Sequence, residues 1–362
     1  MKNRKIAMVY DWVNQWGGAE RVVKAVGDIF PESDLFTGVY DQKKASWAEK
    51  SFKNIYPSFL NFLPWAKDRY RSYVFLFPRA FHGLNFKNYD LVISITSYPG
   101  KFIFVQPPTC HLCYCLTPPR FLWQKNLLSL EKQKLFPLWF GLRVRDVLAA
   151  NNIKHWLTIS KNSQRRIRKF YRKEAKVVYP GIDLNQFKPC LGKRENYYLA
   201  VSRLVSYKKI DLAISVFNKL GWKLKIIGIG REYEKLKKMA KGNIEFLGQV
   251  SDNDLVFHYQ RARGVIFPQE EDFGLVPLEA QACGTPVLAF GRGGALETVI
   301  PGKTGEFFSV QNEESLLNCL KYFVKKNYSP KKCYQNANQF SLSEFKINFK
   351  KEIESMLSKK SR

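Results

Sequence analysis

The sequence predicts two open α/β domains with parallel sheets, one following the other. Three observations predict this. Strand-like and helix-length segments alternate in two separate runs. A connection rich in turn residues, VVYPGIDLNQFKP, divides the runs. The chain has 362 residues, 45% of them apolar, which exceeds one core of ordinary size and suffices for two.

In the first run KIAMVY reads as a strand and GGAERVVKAVGDIF as a glycine turn entering a helix. YDLVISI, HLCYC and HWLTIS read as further strands, the last followed by a basic helix. In the second run YYLAVS, WKLKIIG, NIEFLG, GVIFP and PVLAF are strand-like and are separated by helix-length segments. The closing stretch SEFKINFKKEIESML sets a serine before an apolar helical period and reads as a final helix. The expected boundaries are residues 1–180 and 181–340. Residues 341–362, a helix with a basic tail, are expected to pack back on the first domain.

Several classes are disfavoured. The apolar run of MKNRKIAMVYDWV is broken at Asp11, short of a signal-peptide core, and no window reaches the ~20 apolar residues of a spanning helix. Seven cysteines, an odd number, are expected to be reduced thiols in a cytoplasmic protein. Cys110, His111, Cys113 and Cys115 crowd into TCHLCYCLTPP, but zinc sites usually pair two separated clusters and no second one exists. A buried strand accounts for them better.

The charge is lopsided: 59 basic against 31 acidic residues give +28, which should draw the chain to something anionic. KNSQRRIRKFYRKEAK is the densest basic block, and on a helix Arg165, Arg168, Lys169 and Arg172 share a face. Between Phe52 and Phe86, Trp65, Tyr70, Tyr73, Phe75, Phe77 and Phe81 interleave with Lys67, Arg69, Arg71 and Arg79. That composition suits either a lipid headgroup boundary or a core beneath a basic surface.

EEDFGLVPLEA, residues 270–280, poses the sharpest question, because it carries the carboxylates Glu271 and Glu279 in a mostly apolar stretch. In open α/β domains ligands bind beyond the carboxyl ends of the strands. Glu271 falls in the loop after GVIFP, and Glu279 about one turn into the next helix, where Pro277 suits the first turn. A helix start there favours an anion, yet two carboxylates beside a phosphate would repel it. Sugar hydroxyls resolve the conflict, since a carboxylate can accept both O–H groups of a vicinal diol. Phosphate charge then needs cations, and SRLVSYKK supplies Arg203 and Lys208 directly after a strand. The ligand reads as a sugar joined through phosphates to a nucleoside.

The order GGAE, SRLVSYKK and EEDFGLVPLEAQACGTPVLAFGRGGALETV resembles the family 4 glycosyltransferases, retaining enzymes of the GT-B fold. The likeness covers nearly the whole chain and is strongest from Tyr198 to Phe308. YDWVNQWGGAERV and CYCLTPPRFLW look most like bacterial mannosyltransferases of surface polysaccharide assembly. The resemblance implies two facing Rossmann-like domains with a ligand cleft between them. It implies a nucleotide-sugar donor, GDP-mannose or a UDP-sugar, and a glycan or polyprenol-linked acceptor. Glu279 would hold the donor ribose, Glu271 the transferred sugar, and Arg203 with Lys208 the diphosphate. Backbone N–H groups at Phe273, Gly274 and Leu275 would add to the anion site. Gly17 and Gly18 would let the backbone approach the donor phosphates or acceptor, and Gly228 and Gly230 would skirt the base.

The implied reaction needs no metal and no cofactor, because the two cations and the helix start can meet the charge that grows on the leaving diphosphate. DND at 252–254 resembles a metal-binding D-x-D but follows Ser251 as a helix start would. Relatives often carry His before the TP of the first domain, where this chain has Leu116, so no histidine is assigned. A GT-B epimerase or a glycan phosphorylase would share the architecture. A nucleic-acid-binding protein would use the charge, but no zinc-finger, RNP or homeodomain signature is present, and nucleic acid is not an expected partner. The excess charge is assigned to peripheral contact with the anionic inner face of the cytoplasmic membrane.

Overall fold

The computed structural model describes residues 4–124, 136–190 and 192–358. The chain divides into two compact units, residues 1–179 with 345–362, and residues 180–344.

The described residues of the first unit hold a parallel sheet of β1 (Ile6–Tyr10), β2 (Asp34–Thr37), β3 (Ile55–Pro57), β4 (Leu91–Thr96), β5 (Cys110–Cys115), β6 (His155–Thr158) and β7 (Lys176–Val177). Their order is β3-β2-β1-β4-β5-β6-β7. β1 and β4 are buried along their whole length, as expected for central strands of a sheet covered on both faces, and this is why they read as unbroken apolar runs. The chain order reverses between β1 and β4. There Asp11, just past β1, is buried and accepts hydrogen bonds from the Thr96 hydroxyl and from the backbone N–H groups of Ser97 (2.8 Å) and Gly100 (3.1 Å). Burial pushes the Asp11 carboxyl upward against these bonds, so its role is to join the loops after β1 and β4.

The basic block forms helix Lys161–Tyr171, capped by Ser160, whose hydroxyl accepts from the Ser163 N–H at 2.9 Å. Ile167 and Tyr171 are buried while Arg165, Arg168 and Lys169 face water. The aromatic segment splits in two. Phe52, Tyr70, Phe77, Phe81 and Phe86 belong to the core, whereas Phe62, Trp65 and Phe75 are exposed beside Lys67, Arg69 and Arg71. Only part of that composition is therefore available to a partner. Helix Leu342–Ser358 closes the chain, and its Phe345 and Phe349 rings lie 6.2 and 5.1 Å from the Tyr114 ring of β5. The basic tail at 359–362 lies outside the described residues.

The second unit contains β8 (Tyr198–Val201), β9 (Leu224–Ile227), β10 (Ile244–Gly248), β11 (Gly264–Phe267), β12 (Val287–Phe290) and β13 (Gly305–Phe308), all parallel, in the order β10-β9-β8-β11-β12-β13. Helix Ile210–Leu220 buries Leu212, Ile214, Val216 and Phe217 against this sheet. Chain order reverses between β8 and β11, so the loops that follow these two strands leave in opposite directions and open a crevice at their carboxyl ends. Among the described residues no helix is long and apolar enough to cross a membrane.

Candidate active site

SRLVSYKK and EEDFG are the loops after β8 and β11, the two strands that flank the reversal. The first ends in a short turn of helix, Ser206–Lys208, and Lys209 reverses the chain in the left-handed region (φ +54°) before helix Ile210–Leu220. The second is clamped from both sides. Gln311 donates to the Pro268 carbonyl at 2.7 Å, and the Gly294 N–H donates to the Glu271 carbonyl at 2.8 Å. These loops bring the Lys208 ammonium onto the Glu271 carboxylate, an ion pair whose side chains are only 11% and 21% exposed. Arg203 stands at the same edge, exposed, and donates to the Tyr207 hydroxyl at 3.1 Å, while Lys208 lies 5.1 Å from the centre of the Tyr207 ring.

Helix Leu275–Ala282 starts at Gly274, whose φ of +95° turns the chain where an L side chain would be strained. Phe273 and Pro277 are buried beside it, so the first turn, where backbone N–H groups lack intrahelical acceptors, is rigidly placed. Glu279 occupies the fifth position of this helix. It is buried and accepts from the Tyr259 hydroxyl at 3.0 Å. The two carboxylates thus differ: Glu271 pairs with a cation at the mouth of the crevice, and Glu279 sits inward on a phenol.

Gly228 and Gly230 lie in the loop after β9, where the chain runs against the SRL segment. A Cβ on Gly228 would fall 1.9 Å from the Ser202 carbonyl oxygen, and one on Gly230 would fall 2.2 Å from that of Leu204. Their immediate physical reason is therefore the close approach of the β8 loop that carries Arg203. Gly17 and Gly18 belong to the first unit, Gly17 in extended conformation as the N-cap of helix Gly18–Gly27. The first turn of that helix holds buried Glu20, which accepts from the Tyr10 hydroxyl at 2.7 Å and from the Gln15 amide at 3.0 Å.

Three features carried no assignment from sequence. Tyr259, on helix Asp252–Arg261, gave no sign that it would reach Glu279 twenty residues on. The GRGG turn after β12 was visible as a glycine cluster behind a strand, but its purpose was not. A Cβ on Gly294 would fall 2.2 Å from the Phe273 Cα, so this glycine is what lets the turn lie flat on the Glu271 loop. Asp11 was noted only for breaking an apolar run.

Asp252 and Asp254 lie at the start of helix Asp252–Arg261, where Ser251 accepts from the Asp254 N–H at 3.1 Å and donates to its carboxylate at 2.6 Å. Cys113 and Cys115 are buried in β5, and Leu116 is buried just beyond it. Among the described residues no three His, Cys, Asp or Glu side chains gather as a metal site would require.

Residues 182–340, which contain the whole of this arrangement around β8 and β11, match the family described as Glycosyl transferases group 1. Over residues 182–340 the chain is similar to group 1 glycosyl transferases. The alpha-1,3/1,6-mannosyltransferase ALG2 of Saccharomyces cerevisiae is 26% identical over 261 residues, covering 58% of this chain and 50% of the relative. The GDP-mannose-dependent alpha-(1-6)-phosphatidylinositol monomannoside mannosyltransferase of Mycolicibacterium smegmatis is 34% identical over 155 residues, covering 35% of this chain and 41% of the relative. The chain spans about half, or less, of the length of the curated relatives it matches.

Solved structures extend the likeness over nearly the whole chain. Sucrose-phosphate synthase from Thermosynechococcus elongatus gives a TM-score of 0.78 at 18% identity, covering 98% of this chain and all of that one. Anabaena Alr3699/HepE in complex with UDP and glucose gives 0.73 at 17%, with coverage of 98% and 100%. Two parallel Rossmann-like units with these neighbours make the fold GT-B. The match to residues 182–340 falls within the second unit, residues 180–344, and agrees with the family resemblance of its motifs.

Proposed function

We propose that the protein is a retaining glycosyltransferase that moves a sugar, mannose foremost, from a nucleoside-diphosphate donor to a glycan or lipid-linked acceptor. The pairing of Lys208 with Glu271 at the reversal between β8 and β11 carries this reading. A cation and a carboxylate side by side would suit a sugar phosphate: the ammonium for phosphate oxygens, the carboxylate for hydroxyls. Glu279, deeper on its helix, is suited to accept from the ribose diol. The names of the relatives, mannosyltransferases among them, support mannose, and the GDP-mannose dependence in the name of the Mycolicibacterium smegmatis relative supports that donor.

As the bond from sugar to phosphate breaks, positive charge develops at the anomeric carbon and negative charge on the leaving diphosphate. Arg203, Lys208 and the first turn of helix Leu275–Ala282 would meet the latter, in place of a metal ion and without a cofactor. Retention fits front-face attack, with the departing phosphate helping to take the acceptor proton. The pathway would be cell-surface polysaccharide or glycolipid synthesis. The surplus of +28 fits work at the anionic inner face of the cytoplasmic membrane, where each basic residue near the surface adds about 1 kcal/mol.

The test is donor hydrolysis by the purified chain with GDP-mannose and a panel of UDP-sugars, in chelator, followed by assignment of the anomer released. Release of GDP from GDP-mannose is expected. Failure to consume any sugar nucleotide would overturn the reading.

A further inference from the structure

Helix Phe136–Asn151, in the first unit, is apolar on its exposed side as well as its buried one. Its buried face carries Trp139, Leu142, Ala149 and Ala150 together with a charged residue, Asp146. That carboxylate forms a fully buried ion pair with Lys101 at 3.3 Å and accepts from the Trp123 indole at 2.9 Å and the Tyr171 hydroxyl at 2.6 Å. The face turned to water holds Leu138, Val144 and Leu148, between 42% and 58% exposed, with Arg145 among them. Val144 and Leu148, one turn apart, share one side of a 3.6-residue period, and Leu138 lies about 80° round the helix from Leu148, so the exposed apolar residues form a broad face and not a scatter of single leucines.

The start of this helix adjoins a second exposed segment through its buried side. The Trp139 ring lies 5.6 Å from the exposed Phe75 ring, and the Tyr73 hydroxyl donates at 2.7 Å to the carbonyl of Pro64. Pro64 adjoins Trp65, which is 72% exposed and held in the left-handed region (φ +52°), and Phe62 nearby is 80% exposed. Large apolar surfaces of this kind in water mark an interaction site. Around it Lys67, Arg69, Arg71 and Arg145 are exposed, whereas the one acidic side chain among residues 59–82, Asp68, is paired with Lys44.

Apolar side chains flanked by an exposed tryptophan and by cations match the boundary between headgroups and acyl chains, with negative phosphate above and hydrocarbon below. We infer that this face lies on an anionic lipid surface, with Leu138, Val144, Leu148, Phe62 and Trp65 entering the boundary and the four cations meeting the phosphates. The inference rests on the membrane part of the proposed function and replaces a purely electrostatic contact with a defined apolar one. The basic helix Lys161–Tyr171, which has no exposed apolar stripe, is not required for it.

The experiment is co-sedimentation of the full chain with phosphatidylcholine vesicles, with and without phosphatidylglycerol. Wild type is compared with Leu138→Gln/Leu148→Gln, Phe62→Ser/Trp65→Ser and the electrostatic variant Lys67→Gln/Arg69→Gln/Arg71→Gln. Each apolar pair should lower partition onto anionic vesicles about tenfold or more, since two buried side chains are lost from the boundary. Circular dichroism and nucleotide binding should stay unchanged. As a check independent of these variants, brominated lipid should quench wild-type tryptophan emission, and Trp65→Phe should remove most of that quenching. Apolar variants that partition as well as wild type would overturn this face while leaving membrane binding intact. A wild type that ignores anionic vesicles would overturn both the face and the membrane reading, without touching sugar transfer. Self-association abolished by the apolar variants, with no vesicle binding, would assign the face to a second copy and overturn the lipid assignment.

Discussion

The Lys208 ammonium is neutralised by the Glu271 carboxylate, although both belong to loops proposed to contact a negatively charged donor. The pair holds both side chains in place without ligand. A donor must then separate them, the phosphate taking the cation and the sugar hydroxyls taking the carboxylate. It follows that Glu271→Gln should bind free nucleoside diphosphate more tightly than wild type, because the Glu271 carboxylate no longer competes with phosphate for Lys208, while turnover falls. Calorimetric titration beside a rate measurement checks this. Weaker nucleotide binding in Glu271→Gln would contradict the assignment.

Removing either cation should act on the chemical step. Arg203→Ala and Lys208→Ala are each expected to lower turnover by about 100-fold or more, the scale of losing one electrostatic donor in an active site. Rates near wild type at saturating donor would exclude that residue from charge stabilisation.

Glu279 has two duties that substitution can separate. Glu279→Ala should weaken nucleotide binding and also cost about 1–3 kcal/mol of stability, because the buried Tyr259 hydroxyl loses its acceptor. Glu279→Gln keeps an acceptor for Tyr259 and should recover most of the stability, but only part of the affinity. Denaturant unfolding paired with nucleotide titration distinguishes them. Equal stability loss in the two variants would mean that the phenol bond is not what Glu279 contributes.

Gly294 tests how far loop placement matters. A methyl group 2.2 Å from the Phe273 Cα cannot be accommodated without moving the Glu271 loop. Gly294→Ala should lose stability by about 1–3 kcal/mol through overpacking, and its folded fraction should turn over more slowly. An active-site titration corrected for folded protein measures the second effect.

Mild acid should destabilise the first unit. Burial pushes the His111 imidazole on β5 down to about 4, and His155 adds like-charge repulsion. The unfolded chain gains a proton near pH 6.5, well before the folded one. The unfolded state therefore binds more protons between these values, and the stability present above pH 6.5 is lost as pH falls toward 4. His111→Gln should flatten that part of the profile in urea unfolding at pH 7 and pH 5. An unchanged slope would assign the acid sensitivity elsewhere.

Sequence alone determined the alternation of strand and helix, the division near residue 180, and the loops that hold Arg203, Lys208, Glu271 and Glu279. These are local properties: a buried parallel strand must be apolar along its run, and turns and helix starts need particular residues nearby in the chain. Tertiary structure decided what those side chains meet. Glu271 finds Lys208 across 63 positions because strand order reverses between β8 and β11 and sets their loops side by side, and Glu279 finds Tyr259 because the helices before and after β11 pack together. It also decided which aromatics between Phe52 and Phe86 are core, since composition is the same for a ring that faces inward and one that faces water. Helix Phe136–Asn151 is the clearest case. Its apolar residues surround it in sequence, and only the packing of Trp139, Leu142, Ala149 and Ala150, with the Lys101–Asp146 pair made across 45 positions, decides which side is buried and leaves Leu138 and Leu148 outside.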